Sequence, residues 1–133
     1  MKKLILLILG FIALFSMSKI TIAQEIIDPK QYIILFAQRY QVNEDLLLDV
    51  AYCESRFNQN ARGDSGKAIG IFQFWQGTWD SFSKDFGEIL DINSVHDQAK
   101  LAAWAFSTGK QLHWTCFRIL ADPSKSLKGI TIK

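Results

Sequence analysis

Apolar residues recur at helical spacing along most of the chain. Ile33, Phe36, Ala37 and Tyr40 follow an i, i+3, i+4, i+7 pattern, which predicts an amphipathic helix with these four inward. Asp28 can cap its start, and Pro29 suits the first helical position. A second helix is expected over 43–57. Asn43 would be its cap, and Glu44 and Asp45 sit at the end of the helix dipole that favours acids. Residues 58–66 are rich in turn formers and read as a loop. Residues 68–74 are a short apolar run broken by Gly70 and Gln73, a small strand or irregular hairpin. A third helix is expected near Thr78, with Trp75, Trp79, Phe82 and Phe86 on one face. A fourth, over 95–108, is apolar all round in its middle, as a central buried helix would be. Gly109 is its expected stop. A short helix over 114–120 precedes a tail that turns polar at Asp122. The pattern predicts a mainly α-helical domain with a small β or irregular insertion.

One residue breaks the pattern of the second helix. With Val50 at zero and roughly 100° per residue, Leu46, Leu47, Cys53 and Phe57 fall at roughly −40°, +60°, −60° and −20°. They define the arc expected to face the core. Glu54 falls inside it, at about +40°. Glu44, Asp45 and Asp49 fall outside. A charged, unpaired carboxylate facing a core costs several kcal/mol. Glu54 therefore needs an ion-pair partner, a retained proton or an opening into a cleft. Arg56 and Arg39 are the candidate partners for a salt bridge. The other reading is an acid whose proton affinity is raised by apolar surroundings and which can donate that proton near neutral pH. The following loop favours a cleft. Gly70 permits close backbone approach. Gln73 offers amide donors and acceptors beside Phe72, Phe74 and Trp75, the mixture of polar edges and flat faces that suits a sugar ring. Trp79 and Phe82 read as core. Phe72 and Trp75 could be core or stacking surfaces.

Composition changes this picture in two places. The 133 residues carry a formal charge of +2, but residues 1–23 hold Lys2, Lys3 and Lys19 and no acid. Without them 12 basic residues face 13 acidic ones, a net of −1. No basic excess is left to hold nucleic acid, and no such partner is expected. Residues 1–23 read as a secretory signal: a Lys2–Lys3 start, an apolar stretch, then Thr21 and Ala23 at −3 and −1 of a cut before Gln24. The uncharged run from Leu4 to Ser18 is about 15 residues, short of the ~20 that span a bilayer. Membrane attachment would come only through an uncleaved leader. Residues 24–133 are expected to be one exported domain, periplasmic or extracellular and monomeric. Export also bears on Cys53 and Cys116, the two cysteines. They allow a single disulfide. Its loop of about 63 residues would contribute ~4 kcal/mol at the upper end. Two buried free thiols are the alternative. His96 and His113 stand alone, so neither a metal site nor a cofactor is expected.

The run Ala51-Tyr52-Cys53-Glu54-Ser55-Arg56-Phe57-Asn58-Gln59-Asn60-Ala61, followed by Gly70-Ile71-Phe72-Gln73, resembles the soluble lytic transglycosylase domain of the lysozyme-like superfamily. That family carries Glu-Ser at a helix end, an aromatic and Asn after it, and Gly-x-x-Gln beyond the loop. The likeness runs from about Asp28 to Arg118 and implies a lysozyme-like α-helical fold. It implies that Glu54 is the single catalytic acid and then base, with Ser55 and Gln73 holding substrate or orienting Glu54. The implied substrate is the peptidoglycan glycan strand, cut between N-acetylmuramic acid and N-acetylglucosamine to leave a 1,6-anhydro end. The family often places a Tyr on a later helix against the catalytic Glu. The matching stretch here is Ala105-Phe106-Ser107-Thr108-Gly109, and Phe106 has no hydroxyl.

Glycoside cleavage usually needs a second carboxylate besides the acid. Asp64, ten residues on in the loop, is the best second candidate, and as a turn former it has a plain structural reading too. Asp64 and Phe72 are counted with Ser55 and Gln73 as substrate-binding candidates. The same residues also fit two rival readings: a hydrolytic muramidase that uses Asp64, and a non-catalytic wall-binding module.

Overall fold

A computed structural model describes residues 28–122. The expected leader, its cut before Gln24 and the tail from Pro123 lie outside them. Five α-helices occur among the described residues: α1 (Pro29–Tyr40), α2 (Glu44–Ser55), α3 (Gln76–Phe86), α4 (Val95–Ser107) and α5 (Thr115–Leu120). Between α2 and α3 lie three two-residue strands, β1 (Arg62–Gly63), β2 (Ala68–Ile69) and β3 (Phe74–Trp75). They form one antiparallel sheet in the order β1-β2-β3, with Arg62 opposite Ile69 and Ala68 opposite Trp75. Single turns of 3-10 helix cover Asp64–Gly66 and Gln111–His113. The mainly α expectation with a small β insertion holds.

The predicted caps form. Asp28 accepts the Lys30 N–H at 3.0 Å, and Asn43 Oδ1 accepts that of Leu46 at 2.9 Å. Both satisfy donors that a helix start leaves free. The α2 terminus differs from expectation. The helix stops at Ser55, because Arg56 and Phe57 take φ of 54° and 63°. These left-handed values reverse the chain two residues early. At its other edge, α3 begins at Gln76, before the expected Thr78.

The core is built around α4. Leu101, Ala102, Ala103 and Ala105 are fully buried, and the small residues let α1 approach closely with Ile33, Phe36 and Ala37 inward. Tyr40 is half-buried at the margin of that face, stacked on Phe36. Phe72, Phe74, Trp79, Phe82, Phe106 and Trp114 form a second, aromatic part of the core. Trp75 is a correction: expected on the inner face of α3, it is 47% exposed. It precedes the helix and belongs to β3, where side chains alternate, so Phe74 points in and Trp75 out. Cys53 is a second correction, exposed rather than in the core arc. The buried face of α2 is Leu47, Val50 and Ala51, and Glu54 lies in the middle of that arc.

Gln98 on α4 ties the β region to the helices. It is 2% exposed. Its Oε1 accepts the Phe72 N–H at 3.1 Å, and its Nε2 donates to the carbonyls of Ile69 and Ile92. Gly70 has φ of 76°, and a Cβ there would sit 2.0 Å from Gln98 Nε2. The close approach that Gly70 permits is therefore to this amide. No described helix is long and apolar enough to cross a membrane.

Candidate active site

Glu54 occupies the last turn of α2, half-buried. Its Oε1 accepts the main-chain N–H of Cys116, the second residue of α5, at 3.3 Å. Cys116 is disulfide-bonded to Cys53, with the Cα atoms 5.9 Å apart. The pairing expected for an exported chain is present, and the free-thiol alternative is set aside. The salt-bridge alternative for Glu54 does not form either. The ion pairs His96–Asp97, Lys100–Glu88 and Lys110–Asp85 involve neither Glu54 nor the two arginines. Burial raises the proton affinity of the Glu54 carboxyl above its ordinary value. The Cys116 N–H opposes that rise, and the negative charge of Asp64 adds to it.

Glu54 opens on a cleft of about 230 Å³. The β region supplies one wall with Gly63, Asp64, Gln73 and Trp75, and the start of α5 with the residues just before it supplies His113, Trp114 and Thr115. Asp64 has φ of 48°, and its Oδ2 accepts the Trp75 indole N–H at 3.1 Å. That bond fixes the exposed ring as a flat surface, with Lys67 Nζ 5.6 Å from its centroid. Gln73 has φ of 50° and donates through Nε2 to the Gly70 carbonyl at 2.8 Å. Its Oε1 passes so close to Gly63 that a Cβ there would lie 2.4 Å away. The chain bends sharply to present this amide, and it needs a glycine opposite.

Of the sequence-predicted residues, Glu54, Asp64 and Gln73 meet in the cleft. Ser55 and Phe72 do not line it. The Ser55 hydroxyl donates to the Ile71 carbonyl at 2.9 Å, joining the end of α2 to the loop that carries Gln73. Phe72 is fully buried, edge-on to Trp114, so its ring has no face to offer a substrate. The choice left open for the two aromatics thus divides, with Phe72 core and Trp75 on the cleft. The sequence reading missed His113, Trp114, Thr115 and the Cys116 N–H. Trp114 donates its indole N–H to the Phe72 carbonyl at 2.9 Å and is packed by Phe74 and Phe106. The Trp114-x-Cys116 spacing is the one local signal for this wall, since it places a large ring beside a residue tied to Cys53. Phe106, where the family often has Tyr, is buried against Trp114 and Phe117.

A family model described as the transglycosylase SLT domain matches residues 31–111. The chain belongs to this family. Its match spans α1 to α4 and includes Glu54 and Gln73, so this SLT domain shares the family's peptidoglycan-cleaving, lytic transglycosylase-type function at family level. The match ends before Trp114 and Cys116, and the α5 side of the cleft lies beyond it. No curated protein and no solved structure matches the chain.

Proposed function

We propose that this SLT domain is an exported enzyme that cleaves the β-1,4 bond between N-acetylmuramic acid and N-acetylglucosamine in the glycan strand, leaving 1,6-anhydro ends. The observation that carries the reading is Glu54, a half-buried carboxyl with no cationic partner on the wall of a cleft. Protonated Glu54 donates to the glycosidic oxygen as the bond to C1 breaks. The substrate's own N-acetyl group stabilises the cation that develops at C1, in the manner of substrate-assisted glycosidases. The Glu54 carboxylate then takes the proton of the muramic acid 6-hydroxyl as that oxygen closes on C1. No water is consumed, and Glu54 ends protonated, ready for the next strand. Gln73 and Asp64 are proposed to hold polar substrate groups. A Cys53–Cys116 bridge suits an oxidising compartment, as does residues 1–23 acting as a signal. No cofactor enters this scheme.

The second reading is hydrolysis. It is favoured by Asp64, which shares the cleft and whose charge reaches Glu54. Purified murein digested by the wild type and by Glu54→Gln separates the two by mass. Anhydro ends are one water lighter than hydrolysed ends. Reducing ends alone would replace transglycosylation by a muramidase that uses Asp64. The Glu54→Gln variant is expected to lose about 10²- to 10⁴-fold in rate. If that variant stayed folded and kept its full effect on walls, a binding module would be the better reading.

A further inference from the structure

We propose that the Cys53–Cys116 disulfide positions the Glu54 carboxylate by holding the main-chain N–H of Cys116 against it, so that Cys116 is a positioning residue for the reaction. This rests on the functional reading above. It goes further by assigning the bridge a task besides stability. Cys53 immediately precedes Glu54 in α2, and Cys116 supplies the hydrogen bond at 3.3 Å. Bridge and hydrogen bond thus close one small ring between α2 and α5. Among the described residues, this N–H is the hydrogen-bond donor that Glu54 has. Helix α5 has six residues and begins in the segment beyond the family match. The bridge is its covalent link to α2 at the point where the donor is needed.

The chemistry follows from which form of Glu54 the N–H favours. A donor aimed at a carboxylate stabilises the ionised form. Without it, burial and the charge of Asp64 act unopposed. Severing the bridge should therefore raise the proton affinity of Glu54 and carry the alkaline limb of kcat/KM to higher pH. The other ionisable groups on the cleft are Asp64 and His113. The charged side chain on α5, Arg118, donates to Thr115 Oγ1 at 2.9 Å. Because these groups also shape an activity profile, the titration is best read at Glu54 itself.

Carbon-13 labelling of the glutamate carboxyls, with Glu54→Gln assigning the resonance, gives that titration. The bridge is exposed at Cys53, so the full chain can be reduced in place, and Cys53→Ser/Cys116→Ser provides the permanent form. Protein shown to be folded by its amide spectrum is expected to titrate at Glu54 about half a pH unit or more above the oxidised protein. The pH limb of kcat/KM should move with it. A bridge that merely stabilises the fold would lower Tm and leave both unmoved, and that result overturns the proposal. A measurement on the oxidised chain needs no variant and so does not depend on any variant folding. The Cys116 amide proton should shift with the ionisation of Glu54, and a Cys116 amide indifferent to it equally overturns the proposal. Neither spectroscopic readout requires murein cleavage, so a failure of the enzymatic reading would be seen separately.

Discussion

Gly70 offers the sharpest test of how the cleft is held in place, because Gly66 provides a control of the same kind. Both have positive φ, 76° and 91°, but a Cβ at Gly66 meets nothing within 4 Å. Gly66→Ala should cost only the left-handed conformation, about 1–2 kcal/mol. Gly70→Ala carries that cost and places a Cβ 2.0 Å from Gln98 Nε2. The amide cannot swing aside freely, since it is buried and bonded to Phe72, Ile69 and Ile92. Displacing it strands an N–H and carbonyls away from water, at about 1–3 kcal/mol for each group left unpaired. With three main-chain groups bonded to that amide, the total for Gly70→Ala is about 4 kcal/mol or more. Thermal unfolding should show Gly66→Ala about 4–16 °C below the wild type and Gly70→Ala lower by at least twice the Gly66→Ala loss, or unfolded. In a cycle with Gln98→Ala, the pair should cost less than the sum, because both changes break one network. Equal losses for the two glycines, or strict additivity with Gln98→Ala, would refute the reasoning.

Four further outcomes follow. Glu54 has its proton affinity raised by folding, so its contribution to stability is present below the unfolded value near pH 4.3 and fades as pH rises through the folded value. Glu54→Gln should match the wild type in Tm in acid and exceed it progressively toward neutral pH; a constant gap would contradict this. Reducing the disulfide should cost about 2–4 kcal/mol and at least ~8 °C in Tm, measured by calorimetry with and without reductant; an unchanged melt would show that the bridge constrains nothing. Trp75→Ala should raise KM for glycan fragments about 2- to 10-fold through lost stacking, with Trp75→Phe close to wild type; an unchanged KM removes the ring from the site. Asp64→Asn should shift the alkaline limb of kcat/KM downward by removing a negative charge near Glu54; abolished turnover instead would mark Asp64 as a second catalytic carboxylate.

Much of this architecture was legible in the sequence, for identifiable reasons. Helical periodicity with Asp28, Asn43 and Gly109 as punctuation located four helices, and a fifth was visible in 114–120. Glu54 was legible because it is a charge on an apolar arc. The misses share a cause. Arg56 and Phe57 hold left-handed φ that neither side chain favours, and the tie from Ser55 to Ile71 is a long-range contact without local signature. Trp75 fitted a helical spacing that the chain does not use there, since strand alternation governs it. Gln98 is a single polar residue in an apolar helix, and nothing nearby in sequence says that it serves three main-chain groups. The donor to Glu54 is a main-chain N–H, which every residue but proline possesses. Side-chain reading cannot single it out.

The absence of a Tyr hydroxyl at Phe106 bears on what Glu54 must do. In the proposed mechanism one carboxyl serves as acid and then as base. Such a group works best when neither protonation state is strongly favoured near the working pH. Burial and the charge of Asp64 favour the protonated form, and the Cys116 N–H favours the ionised one. A buried aromatic at Phe106 supplies no donor of its own, so without Cys116 the balance would tilt toward an acid slow to give up its proton. The ring instead packs Trp114, the residue two before Cys116, and so supports the segment that carries the donor. A hydroxyl introduced by Phe106→Tyr would therefore enter a packed aromatic cluster; it would not simply restore a missing contact. The donor to the carboxyl lies in the main chain of α5, and the wall that carries it is held by aromatic packing and by one covalent bond.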